Sequence, residues 1–231
     1  MNVSILHNNK DSVYVYSHLG LGDHIICNGI VRYIAEQCSK VYVFCKTHTF
    51  RNIEYMYRDN DNINVLPVGE DIDVVKFIES YNLTNKTIRI GFEYLNIYPS
   101  ERFDFSFYKS INLPFENRFD KFLFVRDKAV ESKVFEELNP TLEDYIFIHG
   151  DLDRSKIRKD LKIIENPEQY KIFDLLTLLE NATEIHLMES SLKCLINSFK
   201  LEKPKLFYHQ YVRKYTEYYN TQGLNPYINI L

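Results

Sequence analysis

Short apolar runs alternate along this chain with stretches of near-helical apolar spacing, and that rhythm predicts its elements. Residues 13–17 (VYVYS) and 40–46 (KVYVFCK) are compact and rich in β-branched and aromatic residues, as buried strands are. Between them Ile25, Ile26, Ile30, Tyr33 and Ile34 recur at helical spacing, which predicts a helix over 23–38. Strand, glycine-punctuated loop, helix and strand form a βαβ unit, the opening of a parallel sheet. The rhythm continues with a helix over 49–58, a strand over 62–68 (NINVLPV), a helix over 72–81 and a strand over 87–91 (TIRIG). Ahead of these, residues 3–7 (VSILH) read as a further short strand.

Residues 94–122 break the pattern. They are aromatic and irregular, with Pro99 and Pro114, and read as helical pieces and loops. Residues 122–126 (FLFVR) predict a strand and 127–138 a helix stopped by Asn139-Pro140. A second alternating half follows. It has strands at 145–149 (YIFIH), 184–188 (EIHLM) and 205–208 (KLFY), helices at 169–179 and 190–199, and a charged loop over 151–162. The tail from Arg213 is polar and tyrosine-rich. The fold class is therefore α/β, with two small Rossmann-like lobes, 1–125 and 126–231. Their parallel sheets are expected to face a shared cleft, since ligands in open α/β sheets sit at the carboxyl ends of the strands.

Composition changes little in this picture. With 231 residues and 45% hydrophobic residues, the chain can bury a sizeable core in one large or two small domains. The net charge of −4 is spread without blocks or a basic tail, which argues against nucleic acid as a partner. Cys27, Cys38, Cys45 and Cys194 match no zinc spacing and read as reduced, buried thiols, so the setting expected is cytoplasmic. No signal peptide is apparent, and no apolar run reaches the ~20 residues of a membrane span.

Three places carry chemistry. The first is the loop 17–24, SHLGLGDH. Gly20 and Gly22 allow backbone to approach a ligand, but the third glycine of a dinucleotide fingerprint and its ribose acid are missing, and no GK plus Ser or Thr follows. Asp23, at the predicted helix start, is either a helix cap or a base; His24 adjoins it. The second place is His149-Gly150 at a strand end, followed by Arg154, Lys156, Arg158 and Lys159, a cluster suited to a diphosphate or simply a solvated loop. The third is Glu189-Ser190-Ser191 at a strand-to-helix junction. There hydroxyls and free N–H groups make either a helix cap or a phosphate nest, and Glu189 can accept from ribose hydroxyls.

In this order the three pieces resemble a GT-B type glycosyltransferase. Leu19-Gly20-Leu21-Gly22-Asp23 resembles the loop that opens the ADP-heptose:lipopolysaccharide heptosyltransferases. The second half is similar to the donor half of heptosyltransferase- and fucosyltransferase-like enzymes, with Ile148-His149-Gly150, the Arg154–Lys159 segment and Glu189-Ser190-Ser191 at the matching places. FDFSFYKSINLPFENRF (103–119) resembles a segment of glycosyltransferase-like proteins of phages and giant viruses. Asp151-Leu152-Asp153 departs from the donor-side pattern.

The resemblance implies transfer of a sugar from a nucleotide-sugar to an acceptor hydroxyl. The nucleotide-sugar is the donor substrate, and no cofactor or metal is implied. Asp23 would be the base, assisted by His24, with Gly20 and Gly22 on the acceptor side. His149, Arg154, Lys156, Arg158, Lys159, Glu189, Ser190 and Ser191 would hold the donor. Alternatives stand beside it. One is a non-catalytic nucleotide- or glycan-binding module. Another is a metal-dependent transferase: Asp71-Ile72-Asp73 and Asp151-Leu152-Asp153 both have the Asp-x-Asp spelling, and the second follows a strand. A phosphatase- or kinase-like protein, for which no nucleophile motif is seen, and a structural interaction protein complete the set.

Overall fold

The computed structural model describes residues 2–92, 102–150, 157–158, 160–212 and 222–230. The chain forms two compact units. The first holds the residues up to Val125 together with Gln222; the second holds the chain from Arg126 and the segment from Gly223. Each is α/β and is built on its own parallel sheet.

In the first unit the strands are β1 (Ser12–Tyr16), β2 (Lys40–Lys46), β3 (Ile63–Val68) and β4 (Thr87–Arg89), in the spatial order β3-β2-β1-β4. Val13 lies level with Val41, and Val15 with Val43, which in turn is level with Val65. All but Val65 are fully buried. The other face carries Tyr14 and Phe44, and Phe77 from the helix over 71–80 packs on it, edge to face with Phe44 at 5.4 Å. A sheet apolar on both faces needs helices on both, and alternating βα connections supply them.

The predicted single helix over 23–38 is two, α2 (Leu21–Ile26) and α3 (Asn28–Ala35), with Cys27 between them. The Ile26 carbonyl at the break accepts a hydrogen bond from the Tyr108 hydroxyl at 2.8 Å. A Cβ on Gly29 would stand 2.2 Å from the Asn117 carbonyl oxygen, so this glycine is what lets the later backbone reach the break. The short strand expected at 3–7 is instead a helix, α1 (Asn2–Asn8). Ile5 and Leu6 are both buried, a neighbouring pair that one face of a strand cannot bury together. Asn9 closes the helix by donating from Nδ2 to the Ile5 carbonyl at 2.9 Å. The helices α4 (Phe50–Tyr57) and α5 (Asp71–Ser80) follow the expected positions.

The strand expected at 122–126 is not formed. That segment is extended, but its backbone is satisfied by side chains rather than by a ladder. Asn28 brackets Leu123, accepting from its N–H at 3.0 Å and donating to its carbonyl at 3.1 Å. Arg32 Nε donates to the same carbonyl at 2.9 Å, and Arg58 donates to Val125 at 3.0 Å. Leu123 and Val125 remain about half exposed, as a true inner strand would not be.

In the second unit, β5 (Tyr145–His149), β6 (Lys162–Glu165), β7 (Glu184–Leu187), β8 (Lys205–His209) and β9 (Ile228–Ile230) run parallel in the order β6-β5-β7-β8-β9. Two of these, β6 and β9, were not anticipated. The helix Lys128–Leu138 begins on Asp127, whose carboxylate accepts from the Val130 N–H at 3.1 Å. Glu131 on that helix is fully buried, held by Arg126 and by the Thr177 hydroxyl at 2.8 Å. All four cysteines are free and buried. Among the described residues no helix is long and apolar enough to cross a membrane.

Candidate functional site

A parallel sheet opens a crevice where its strand order reverses, at the carboxyl ends of the two strands that flank the reversal. In the first sheet these strands are β1 and β4. In the second they are β5 and β7. The loops singled out in the sequence leave three of those four strand ends.

At the first edge, the chain leaves β1 through Ser17 and His18. The His18 ring stacks on Phe92 (4.5 Å, 26°) and on Phe107 (5.7 Å, 19°). Burial pushes its imidazole below the usual range, offset in part by Asp71, and its Nε2 is buried without a hydrogen-bond partner. Gly91, after β4, has φ +88°, and a Cβ there would fall 2.5 Å from the Phe107 ring, so glycine is needed on both counts. Tyr16 donates its hydroxyl to Asp71 at 3.0 Å, and burial followed by that bond pushes its pKa up to about 12. Sequence reasoning passed over His18. Its signal was its place directly after a strand.

Gly20 caps α2, Gly22 is the second residue of the helix and Asp23 the third. The Asp23 carboxylate folds back over the cap; a Cβ on Gly20 would meet Asp23 Oδ2 at 2.6 Å. Gly20 is thus required by close approach, its φ of −70° being ordinary. Asp23 is half-buried. His24 points the other way. It is 1% exposed, its Nε2 has no hydrogen-bond partner, and burial pushes its pKa down to about 4. Burial this complete keeps the imidazole from solvent.

The same burial sets a pH dependence. An imidazole lowered from 6.5 to about 4 stabilises the fold fully above pH 6.5, and that contribution is lost as pH falls through 4. The thermal midpoint should therefore drop across this window. His24→Leu should make the drop shallower, which a pH series of calorimetric scans would show.

At the second edge, Met188 N–H donates to the His149 carbonyl at 3.0 Å, joining the ends of β5 and β7. Gly150 leaves room for the Tyr211 hydroxyl, which a Cβ would meet at 2.6 Å. Burial pushes the His149 imidazole down, with Glu168 opposing. Glu189 accepts from the Val212 N–H at 3.2 Å through Oε2, while its Oε1 is buried and without a partner. Ser190 is the cap of the helix Ser191–Asn197. Its hydroxyl accepts from the Lys193 N–H at 3.3 Å and donates to the Met188 carbonyl at 3.2 Å. Two further buried polar atoms lack partners here, Asn166 Oδ1 just past β6 and Gln210 Nε2 just past β8. Buried polar groups are almost always paired, so these strand ends have hydrogen-bonding capacity left for water or a ligand.

The basic segment is only partly in view. Arg154, Lys156 and Lys159 lie outside the described residues. Arg158 does not join the carboxyl edge. Its guanidinium pairs with Asp160 at 2.9 Å and with Glu184 at 3.4 Å, and Glu184 is the first residue of β7. Because β5 and β6 are parallel, their connection must return to the amino end of the sheet, and Arg158 lies on that return. There its guanidinium, about half exposed, is engaged by these two carboxylates.

Asp71-Ile72-Asp73 lies at the start of α5. Asp73 accepts from the Glu70 N–H at 2.9 Å, while Asp71 holds Tyr16. Asp151 and Asp153 lie outside the described residues. Among the described residues no group of three or more His, Cys, Asp or Glu side chains could hold a metal ion.

No family model matches the chain, and no curated protein matches it in sequence. Solved structures do. The crystal structure of a glycosyl transferase family 9 protein from Veillonella parvula DSM 2008 superposes with a TM-score of 0.59 at 9% identity, covering 96% of this chain and 86% of that one. At that identity the likeness is one of fold, and it extends over both units: the chain has the two-lobed α/β architecture of a GT-B type glycosyltransferase.

Proposed function

We propose that this protein transfers a sugar from a nucleotide-sugar donor to an acceptor hydroxyl without a metal ion. The observation that carries this reading is the second sheet's carboxyl edge, where Asn166, Glu189 and Gln210 present buried, unpaired polar atoms beside His149-Gly150. The family 9 likeness supplies the fold in which such an edge would hold a donor; the residues at the edge, not the fold, carry the assignment. The donor belongs to the second unit. Its diphosphate is assigned to His149-Gly150, Arg154 and Lys156, with Glu189, Ser190 and Ser191 alongside.

The acceptor belongs to the loop of the first unit, where Gly20 and Gly22 keep the backbone accessible. The acceptor oxygen forms its bond to the anomeric carbon as the bond from that carbon to the diphosphate breaks. Asp23 takes the hydroxyl proton, and the nucleoside diphosphate leaves with the bonding pair. The basic segment stabilises the charge that develops on the leaving group.

Titration calorimetry with UDP, GDP, ADP and CDP tests the donor half. Saturable binding of at least one is expected. No binding by any of them would overturn the reading.

A further inference from the structure

Three buried side chains run through the second sheet and have no part in the site above. Glu184 opens β7, His186 follows on the same face, and His209 closes β8. His186 lies level with Phe207, which places His209 one same-face step nearer the carboxyl edge. The three are 7%, 4% and 3% exposed. His186 Nδ1 stands 2.8 Å from His209 Nε2, and His186 Nε2 stands 3.4 Å from Glu184 Oε2. The His186 ring is stacked flat on Phe207 (4.5 Å, 10°), and His209 lies at its edge, with centroids 5.1 Å apart and planes 26° from each other, as an in-plane hydrogen bond requires.

Burial pushes both imidazoles down, His209 to about 4, so both are neutral near pH 7. A neutral imidazole has one N–H and one lone pair, and a carboxylate only accepts. Arg158 engages the other Glu184 oxygen, Oε1, at 3.4 Å. The tautomers follow in sequence. His186 carries its proton on Nε2, facing Glu184. Its Nδ1 must then accept, so His209 donates from Nε2. The lone pair of His209 is left on Nδ1.

We infer that Glu184, acting through His186, fixes His209 with Nδ1 as a hydrogen-bond acceptor at the carboxyl end of β8, where it receives a hydroxyl of the donor's sugar. This rests on the donor reading above. A diphosphate has no proton to give at neutral pH, so Nδ1 does not select phosphate. A hydroxyl does have one. The neighbouring strand ends repeat the preference, since Glu189 Oε1 past β7 and Asn166 Oδ1 past β6 are also acceptors without partners. Gln210 Nε2, just past β8, adds an unpaired donor to these acceptors, and hydroxyls, which both donate and accept, suit such a mixed edge. His209 is then a specificity contact, and Glu184 and His186 are positioning residues.

Two-bond proton–nitrogen spectra of the labelled full chain read imidazole tautomers directly. The expected result is the Nε2–H form for both His186 and His209 in the free protein. UDP-glucose, GDP-mannose or ADP-glucose, whichever binds, should shift the His209 Nδ1 resonance, and the matching nucleoside diphosphate should not. In Glu184→Ala, His209 should populate both tautomers. Affinity for the nucleotide-sugar should fall about three- to tenfold, the loss of one hydrogen bond, with nucleoside diphosphate affinity unchanged. His186→Phe, which keeps a ring on Phe207 but offers His209 no acceptor, gives the same His209 readout should Glu184→Ala fail to fold. An Nδ1–H form of His209 in the free protein overturns the relay. A nucleotide-sugar that binds without moving His209, or a nucleoside diphosphate that moves it equally, overturns the sugar contact. Absence of all nucleotide binding overturns the donor reading, and the free-protein tautomers still judge the relay.

Discussion

Asp23→Asn is expected to lower turnover by about 10²–10⁴-fold, the usual worth of a positioned general base, while leaving nucleoside diphosphate affinity within twofold. Turnover is read as release of nucleoside diphosphate from the nucleotide-sugar, and affinity by calorimetry. The residue sits where two roles overlap. As the third residue of α2, folded back over Gly20, it is placed to complete the helix start. As a half-buried carboxylate beside a glycine-bared backbone, it is placed to take a proton from a bound hydroxyl. The amide keeps the shape and much of the hydrogen bonding but cannot accept a proton. A cap role predicts a loss of about 1 kcal/mol in stability, with any loss of activity following the loss of fold. Equal falls in turnover and nucleotide affinity, together with a lowered thermal midpoint, would assign Asp23 to the helix alone.

The lobed α/β organisation was legible because its strands are buried on both faces and therefore read as short apolar runs, as at 41–45 and 145–148. What escaped was set by distant partners. FLFVR has the pattern of a strand, but Asn28, Arg32 and Arg58 had already claimed the backbone groups a ladder would need. The break at Cys27 depends on Tyr108, far along the chain, and no local spacing announces it. The strands β6 and β9 are short edge segments near polar sequence, with too little apolar pattern to stand out.

The candidate site was legible where it follows from strand ends, at His149-Gly150 and Glu189-Ser190. Charge alone did not place Arg158, whose partner Glu184 is visible only in three dimensions. The Glu184–His186 pair did leave a trace. In EIHLM an acid and an imidazole sit two apart on a strand, and so on one face.

Asp104→Asn should be the most damaging single change in the first unit. Asp104 and Arg118 form an ion pair with neither side chain exposed. Asp104 also accepts from the N–H groups of Phe105 and Gln222, both at 2.9 Å. The Arg118 guanidinium lies over Phe115 (5.7 Å) and Phe119 (5.3 Å), and its Nε and Nη2 have no hydrogen-bond partner. With so little else to answer its charge, Arg118 depends on this carboxylate. Neutralising Asp104 leaves a cation buried among aromatic rings, a loss of about 3–5 kcal/mol. Removing both charges is a different experiment. Asp104→Leu with Arg118→Met leaves no buried charge, only Arg102, which is 3.3 Å from Asp104 but one-third exposed to water, and should cost much less than Asp104→Asn, because the pair's own net contribution is small once desolvation is counted. The chain has no tryptophan, and its 18 tyrosines are spread along it, so bulk fluorescence would not localise the effect. Hydrogen–deuterium exchange over residues 103–120 would. Asp104→Asn should speed exchange there well beyond the double variant. If the two variants exchange alike, the geometry of this pair rather than its charge holds the segment in place.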